Sequence, residues 1–459
     1  MAIDERFYMH ESDRTALDAL KAIPGFTPLL KAFMKVFNEK QFHMQNMSTN
    51  LRLSERQLPE YYNMLPPICE KLGIEVPELY LELDGEPNAY TFGDTKPFIV
   101  ITSGLLKKMP REVIPTVLAH ECGHIACRHS LYTTMGQIIF NEATGLLGIT
   151  DLAPFKDLIT LTLQIAFSYW MRCSELSADR AAAIYDGNAD KIVRMCMGFS
   201  GLEDGIHGQV DVEAFMEQAR EYSTSVKENK VDKTIEFLTC YHLSHPLTAV
   251  RACECYDWMQ TEQAARILEY VNRSAQQKDL PLSACLTELP MAEASRFYEG
   301  KETGEVVEQL RQLGFENVST VRSTVRRGVV KPGQVNAVIV NNRIGFQKYE
   351  WLPIRAEVKV EYFEPETEEE IAAAHPGQKR VPNSARFYMG KLMNQAADEF
   401  LAAGFTSVAV ENLQRGKRGL FDRDRAIVRI TVNGQGNFER GEWFPADSPV
   451  RITYVTYTY

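Results

Sequence analysis

The sequence predicts a multidomain α+β protein: a mostly helical N-terminal domain with a small sheet, followed by two tandem α/β repeat modules. Three observations predict it. The chain has 459 residues, more than one hydrophobic core organises, so several domains are expected. Residues 10 to 290 carry mainly the 3.6-residue apolar period of helices, interrupted by a few short strand-like runs. Beyond about residue 290 the texture turns to strands and repeats itself. Ser295-Arg-Phe-Tyr-Glu-Gly-Lys301 returns as Ala385-Arg-Phe-Tyr-Met-Gly-Lys391, and Leu313-Gly-Phe315 returns as Ala403-Gly-Phe405, both at an offset of 90 residues.

In order, Ser12-Asp13 is placed to cap a helix through Leu17, Leu20 and Ile23, which Pro24-Gly25 ends. A second helix is expected over Thr27–Asn38. A third is expected over Pro59–Leu72, with Gly73 as its stop. Alternation from Val76 to Leu83 reads as a strand, and Phe98-Ile-Val-Ile-Thr102 as a short buried one. Pro110 to Leu131 then reads as one amphipathic helix. Pro115 inside it removes a backbone donor, so a kink or a later start is expected. The apolar run Leu158–Trp170 is too short to cross a bilayer and is broken by Thr160, Thr162, Gln164 and Ser168, which makes it a core helix. Each repeat is read as a helix ending at its Gly, an apolar strand, a Trp-x-Pro (Trp351 and Pro353; Trp443 and Pro445) and a closing strand. The acidic run from Glu364 to Glu370, continuing to His375-Pro-Gly, reads as the linker between them. The expected boundaries are 1–290 for the helical domain, 291–363 and 385–459 for the repeats, and 364–384 for the linker.

Bulk composition narrows the function. A formal charge of −11 without a basic stripe makes nucleic acid and anionic membrane poor partners. The polar start MAIDERFYMHESDR has no apolar signal region, and nine irregularly placed cysteines suit free thiols. A cytoplasmic protein with no transmembrane segment is expected.

The chemistry concentrates in His120-Glu121-Cys122-Gly123-His124, an H-E-x-x-H. Residues four apart on a helix lie one turn above each other, so two imidazoles can grip one metal ion from one side. Glu121 then leans over the open coordination position, where it can take a proton from water. The flanking Val113, Ile114, Val117, Leu118 and Ile125 bury this helix, and buried imidazoles need partners. A catalytic zinc usually takes a third protein ligand. Glu175 is the candidate, with Asp179 one turn along on the same face to accept the spare N–H of a ligand imidazole. The alanines at 178 and 181–183 speak for close helix packing beside them. Further on, His245-Pro246 and Arg251 supply a His and an Arg suited to an oxyanion. Cys122 reads as a small buried thiol, and Cys127 and His129 as helix packing and surface.

Together these residues resemble the HtpX and CAAX prenyl endopeptidase family of gluzincin zinc metallopeptidases, peptidase family M48. His120 to His124 matches its H-E-x-G-H, Glu175 to Asp179 its E-x-x-x-D, and His245-Pro246 through Arg251 its H-P…R. Asn88-Ala89 matches the N-A that opens its substrate-pairing edge strand. The resemblance covers about residues 5–260 and implies a zincin-type metallopeptidase domain acting on peptide or protein substrates. It further implies zinc on His120, His124 and Glu175, with Glu121 as general base and Asp179 orienting His120. His245 and Arg251 would stabilise the tetrahedral intermediate, and Asn88, Ala89 and Tyr90 would lie along an extended substrate. Relatives such as HtpX span membranes, so this chain would be a soluble branch. The repeats loosely resemble PASTA modules in their order of helix, Gly-Phe and strands, and are expected to present substrate or to mediate self-association. The rival expectation is a non-catalytic scaffold or binding protein stabilised by zinc, whose C-terminal repeats bind a partner and which would not need Glu121.

Overall fold

The structure, a computed structural model, describes residues 3–37, 39–140, 161–202, 210–228, 247–277, 279–417 and 423–458. The chain forms two compact units, Met1–Val321 with Ala337–Glu361, and Arg322–Asn336 with Tyr362–Tyr459.

In the first unit a four-stranded sheet runs in the order β1-β2-β4-β3, with β1 Leu51–Arg52, β2 Glu78–Glu82, β3 Ala89–Phe92 and β4 Phe98–Thr102. β4 pairs parallel with β2 and antiparallel with β3. Every residue of β4 is buried, as an uninterrupted apolar run demands when both faces are covered. The aromatic core beneath the sheet includes Phe33, Phe42, Phe92, Phe98, Phe167 and Trp170.

The motif helix spans Ile114–Ala126 and starts late, behind a 3-10 turn at Arg111–Val113. Pro115 therefore falls in the first turn, where its missing N–H costs nothing. This helix packs on the long helix Leu161–Asp186. A Cβ on Gly123 would lie 2.7 Å from Ala181 Cβ and 3.0 Å from Ala178 Cα, so glycine against alanine lets the two backbones approach. That close approach is what carries Glu175 to the histidines. The part of the expected core helix before Leu161 lies outside the described residues. From Leu163 to Trp170 only one face is core: Leu163, Phe167 and Trp170 are fully buried, whereas Ile165 and Tyr169 are exposed. Among the described residues, no helix is long and apolar enough to cross a membrane.

The first helix, Glu11–Ala22, is capped by His10, whose Nδ1 accepts from the Ser12 N–H. Ser12-Asp13 therefore sits inside the first turn rather than capping it, and the Asp13 carboxylate is spent elsewhere. The expected helix over Pro59–Leu72 is split into Pro59–Tyr62 and Leu65–Leu72, with Gly73 ending the latter at φ 72°.

Both repeats show the same plan. Glu288–Pro290 pairs antiparallel with Trp351–Pro353, and Gln378–Arg380 pairs in the same way with Trp443–Pro445. Helices Thr303–Gln312 and Met393–Ala402 follow, each closed by a glycine at positive φ, Gly314 and Gly404. Lys301 stands 3.3 Å over the Phe297 ring, and Lys391 stands 3.0 Å over Phe387. The stretch 364–384 holds a helix, Glu368–Ala374, with a full capping box from Thr367 and Glu370, as well as the strand Gln378–Arg380.

Candidate metal centre

Helical periodicity places His120 and His124 on one face of the motif helix, and their Nε2 atoms lie 3.2 Å apart. Glu175 reaches in from the long helix, with Oε1 3.2 Å from His124 Nε2 and Oε2 3.5 Å from His120 Nε2. One donor atom from each of the three falls within 4.8 Å of the others, and all three residues are buried. Both imidazoles turn their other nitrogen away. His120 Nδ1 lies 2.9 Å from Asp179 Oδ1, and His124 Nδ1 lies 3.0 Å from His129 Nδ1. An ionised carboxylate only accepts, so His120 donates from Nδ1 to Asp179 and its Nε2 faces the shared space.

Glu121 is buried beside this cluster. Its Oε2 accepts from the Thr91 hydroxyl at 2.8 Å, while its Oε1 has no hydrogen-bond partner among the described residues. Thr91 is on β3, so the strand next to the motif helix sets the direction of this carboxylate. Arg251, on helix Thr248–Met259, is buried between carboxylates. Its Nη1 lies 2.7 Å from Glu175 Oε2, and its Nη2 and Nε donate to the two Asp179 oxygens at 2.6 and 2.8 Å.

These contacts explain the acid–base balance. Burial opposes the charge on His120, but the Asp179 and Glu175 carboxylates outweigh it and raise its pKa to about 9. Burial pulls His124 below its ordinary value, only partly offset by Glu175. Asp179 is pushed up by burial but carried down to about 2 by Arg251 and His120. Burial opposes the Arg251 charge, and Asp179 and Glu175 overcome it, holding its pKa well above the ordinary value.

The donor set fits a divalent metal. Two imidazole nitrogens and a carboxylate converge, and a buried carboxylate oxygen is left without a hydrogen bond alongside. In formal charges, Glu121, Glu175 and Asp179 give three negatives against the one positive of Arg251, and a dication closes the sum to zero.

The remaining expected residues fall as follows. Ala89 and Tyr90 are on β3, the last strand of the sheet order, where Ala89 pairs with Ile101 and Tyr90 with Val100. The Tyr90 hydroxyl donates to Glu82 Oε2 at 3.0 Å. Asn88 precedes the strand, with its backbone N–H on the Thr102 hydroxyl. His245 lies outside the described residues. The Cys122 thiol faces Cys69, with the sulfurs 4.0 Å apart, and burial pushes its pKa well up. His129 is not a surface residue: it is buried against His124 and Asp13, and it, Asp13 and Thr91 complete the centre beyond what sequence spacing indicates. A histidine five residues past an H-E-x-x-H is the one local signal that points to it.

Residues 65–258 match Peptidase family M48. Over 275 residues the chain is 31% identical to Plastoglobule-localized metallopeptidase 48, chloroplastic, of Arabidopsis thaliana, covering 60% of this chain and 78% of that one. Two solved structures show looser likenesses. Ste24p of S. mikatae is 18% identical, over 50% of this chain and 61% of that one, with a TM-score of 0.27. The extracellular region of the Ser/Thr kinase PrkC from Staphylococcus aureus is 12% identical, over 37% of this chain and 48% of that one, with a TM-score of 0.16. At these scores neither likeness carries an argument about fold or site.

Proposed function

The chain belongs to peptidase family M48 and is a metallopeptidase, and from that premise we propose that it is a zinc-dependent endopeptidase with His120, His124 and Glu175 as the metal ligands. The observation that carries this reading is the convergence of those three side chains from two helices on one point. Zinc held there supplies a Lewis acid that polarises the scissile carbonyl and makes water a nucleophile at neutral pH. Glu121 is the general base: its unpartnered Oε1 takes the proton of the attacking water and passes it to the leaving amine. Thr91 holds the other oxygen, so the carboxylate keeps its aim.

Asp179 fixes the tautomer and ring angle of His120. Arg251 acts by positioning Glu175 and Asp179, since its guanidinium is already committed to both carboxylates. Oxyanion stabilisation is then left to His245. An extended peptide would lie along β3 at Asn88, Ala89 and Tyr90 through backbone pairing. We assign the peptidase domain to 1–290. The modules at 291–363 and 385–459 are read as non-catalytic, PASTA-like repeats that present substrate or mediate self-association, and a cytoplasmic setting fits the eight described cysteines, all of them buried. The zinc-stabilised scaffold is set aside by family membership.

The test is Glu121→Gln in the full chain. Wild type should cleave unfolded casein and carry zinc, and the variant should keep zinc and lose cleavage by about two to four orders of magnitude. Undiminished cleavage by a zinc-loaded variant would refute the role of Glu121.

A further inference from the structure

His124 has no carboxylate on its Nδ1; it has another histidine. His129 Nδ1 lies 3.0 Å away, and the far nitrogen of His129, Nε2, lies 2.9 Å from Asp13 Oδ2. Asp13 comes from the first helix, 116 residues away in sequence and outside the stretch that matches the family. Its other contacts are donors as well. Trp170 Nε1 donates to Oδ1 at 3.0 Å, and the Ser177 hydroxyl donates to Oδ2 at 2.6 Å. Asp13, His129, Trp170 and Ser177 are all fully enclosed. Burial works against the Asp13 charge, and His129 with the Ser177 and Trp170 donors outweighs it, holding the carboxyl below its ordinary range.

The polarity of this chain follows from which groups can donate. An ionised Asp13 only accepts, so His129 carries its proton on Nε2. With its proton on Nε2, His129 presents a lone pair at Nδ1, and His124 donates to it from Nδ1. That leaves His124 Nε2 with its lone pair on the side of His120 and Glu175. The opposite tautomer of His129 would set two N–H groups against each other at 3.0 Å and push the His124 proton onto Nε2, where a metal cannot bind. The ring of His129 is also fixed edge-on to Trp170, with centroids 5.8 Å apart.

We propose that Asp13 and His129 form a two-residue relay that sets the tautomer of His124, which makes both of them positioning residues of the metal site and makes the first helix part of it. The inference rests on the reading that His120, His124 and Glu175 hold zinc. His120 is served directly by Asp179, and His124 is served at one remove by Asp13 through His129.

The test is zinc affinity of the full chain, measured by competition with a chromophoric chelator, alongside urea unfolding of the metal-free protein. His129→Phe keeps the ring and removes the acceptor, and should weaken zinc about 10- to 100-fold. His129→Asn restores a carbonyl near the Nδ1 position and should recover most of that loss. Asp13→Asn should weaken zinc about 10-fold in the wild-type background, and by nothing further in His129→Asn, where there is no tautomer left to set. A purely structural role would show the same Asp13→Asn effect in both backgrounds, and that result would overturn the relay, as would wild-type affinity in a folded His129→Phe. If His129→Phe does not fold, the Asp13→Asn comparison carries the test. Wild type should bind one zinc per chain and His124→Ala should lose it; a wild type without zinc, or zinc retained in His124→Ala, would overturn the metal-site reading and the relay with it.

Discussion

Arg251 offers the sharpest perturbation, because sequence spacing suggests one role for it and geometry another. The guanidinium is buried with both of its carboxylate partners, and its three nitrogens are all within 2.8 Å of their oxygens. With charge centres about 4 Å apart, each pairing contributes roughly 4 kcal/mol of attraction at an effective dielectric of about 20, before desolvation. Arg251→Met keeps the volume and leaves Asp179 and Glu175 uncompensated, and breaking a buried pair in this way costs about 3–5 kcal/mol. The loss should appear in urea unfolding of chelator-stripped protein. It should shrink with saturating zinc, because the cation replaces part of the missing positive charge. Arg251→Lys keeps the charge but cannot span both carboxylates, and should fall between the two. If metal-free Arg251→Met is as stable as wild type while turnover collapses, the guanidinium is not committed to the carboxylates. Its role would then be contact with the reacting substrate.

Two further outcomes follow from the same contacts. Thr91→Val removes the donor that aims Glu121, and should lower kcat about 10- to 100-fold with zinc content unchanged, with Thr91→Ser restoring it; kcat equal to wild type would mean that Glu121 is oriented by other means. His10 has its pKa lowered from 6.5 to about 4 by burial and by facing Arg180, so the unfolded chain takes up its proton first as pH falls. Its contribution to stability is complete above pH 6.5 and is lost towards pH 4, by up to roughly 3 kcal/mol. His10→Asn, which keeps a helix cap, should flatten that part of the metal-free pH–stability profile, and an unchanged slope would assign the effect to another group.

What could be read in advance was whatever local spacing encodes. His120 and His124, and Glu175 and Asp179, are each four apart, so the helix alone puts each pair on one face, and the 90-residue repeat is visible as self-similarity. Pro115 announced the late helix start for the same local reason. Asp13 and His129 were hidden because their meaning lies in a contact spanning 116 residues, which no periodicity carries. Read locally, Asp13 is a cap and His129 a surface residue. Arg251 was legible as a charge near the site but not as to its destination, since a sequence does not say which of several carboxylates a buried guanidinium will reach. Gly123 shows the converse: its place in the motif is fixed by the backbone of the long helix, a constraint that belongs to packing and not to the motif's chemistry.

The duplicated modules carry the same limit one step further. Trp351 and Trp443 occupy the same place in the two copies, each opening a three-residue strand paired to the segment just before its repeat. Trp351, however, meets Phe7 edge-on at 6.0 Å, whereas Trp443 is stacked on His375 at 4.3 Å. Nearby, Tyr349 lies under Arg14, the neighbour of Asp13 on the first helix, at 4.9 Å. Tyr349 is therefore packed on the very helix that ends the hydrogen-bond chain from His124, and Trp351 on the turn before it, whereas the tryptophan of the second copy is stacked on His375. Identical substitutions at the two tryptophans are consequently different experiments: one removes an aromatic contact with the turn just before the first helix, and the other removes a stacking contact with His375.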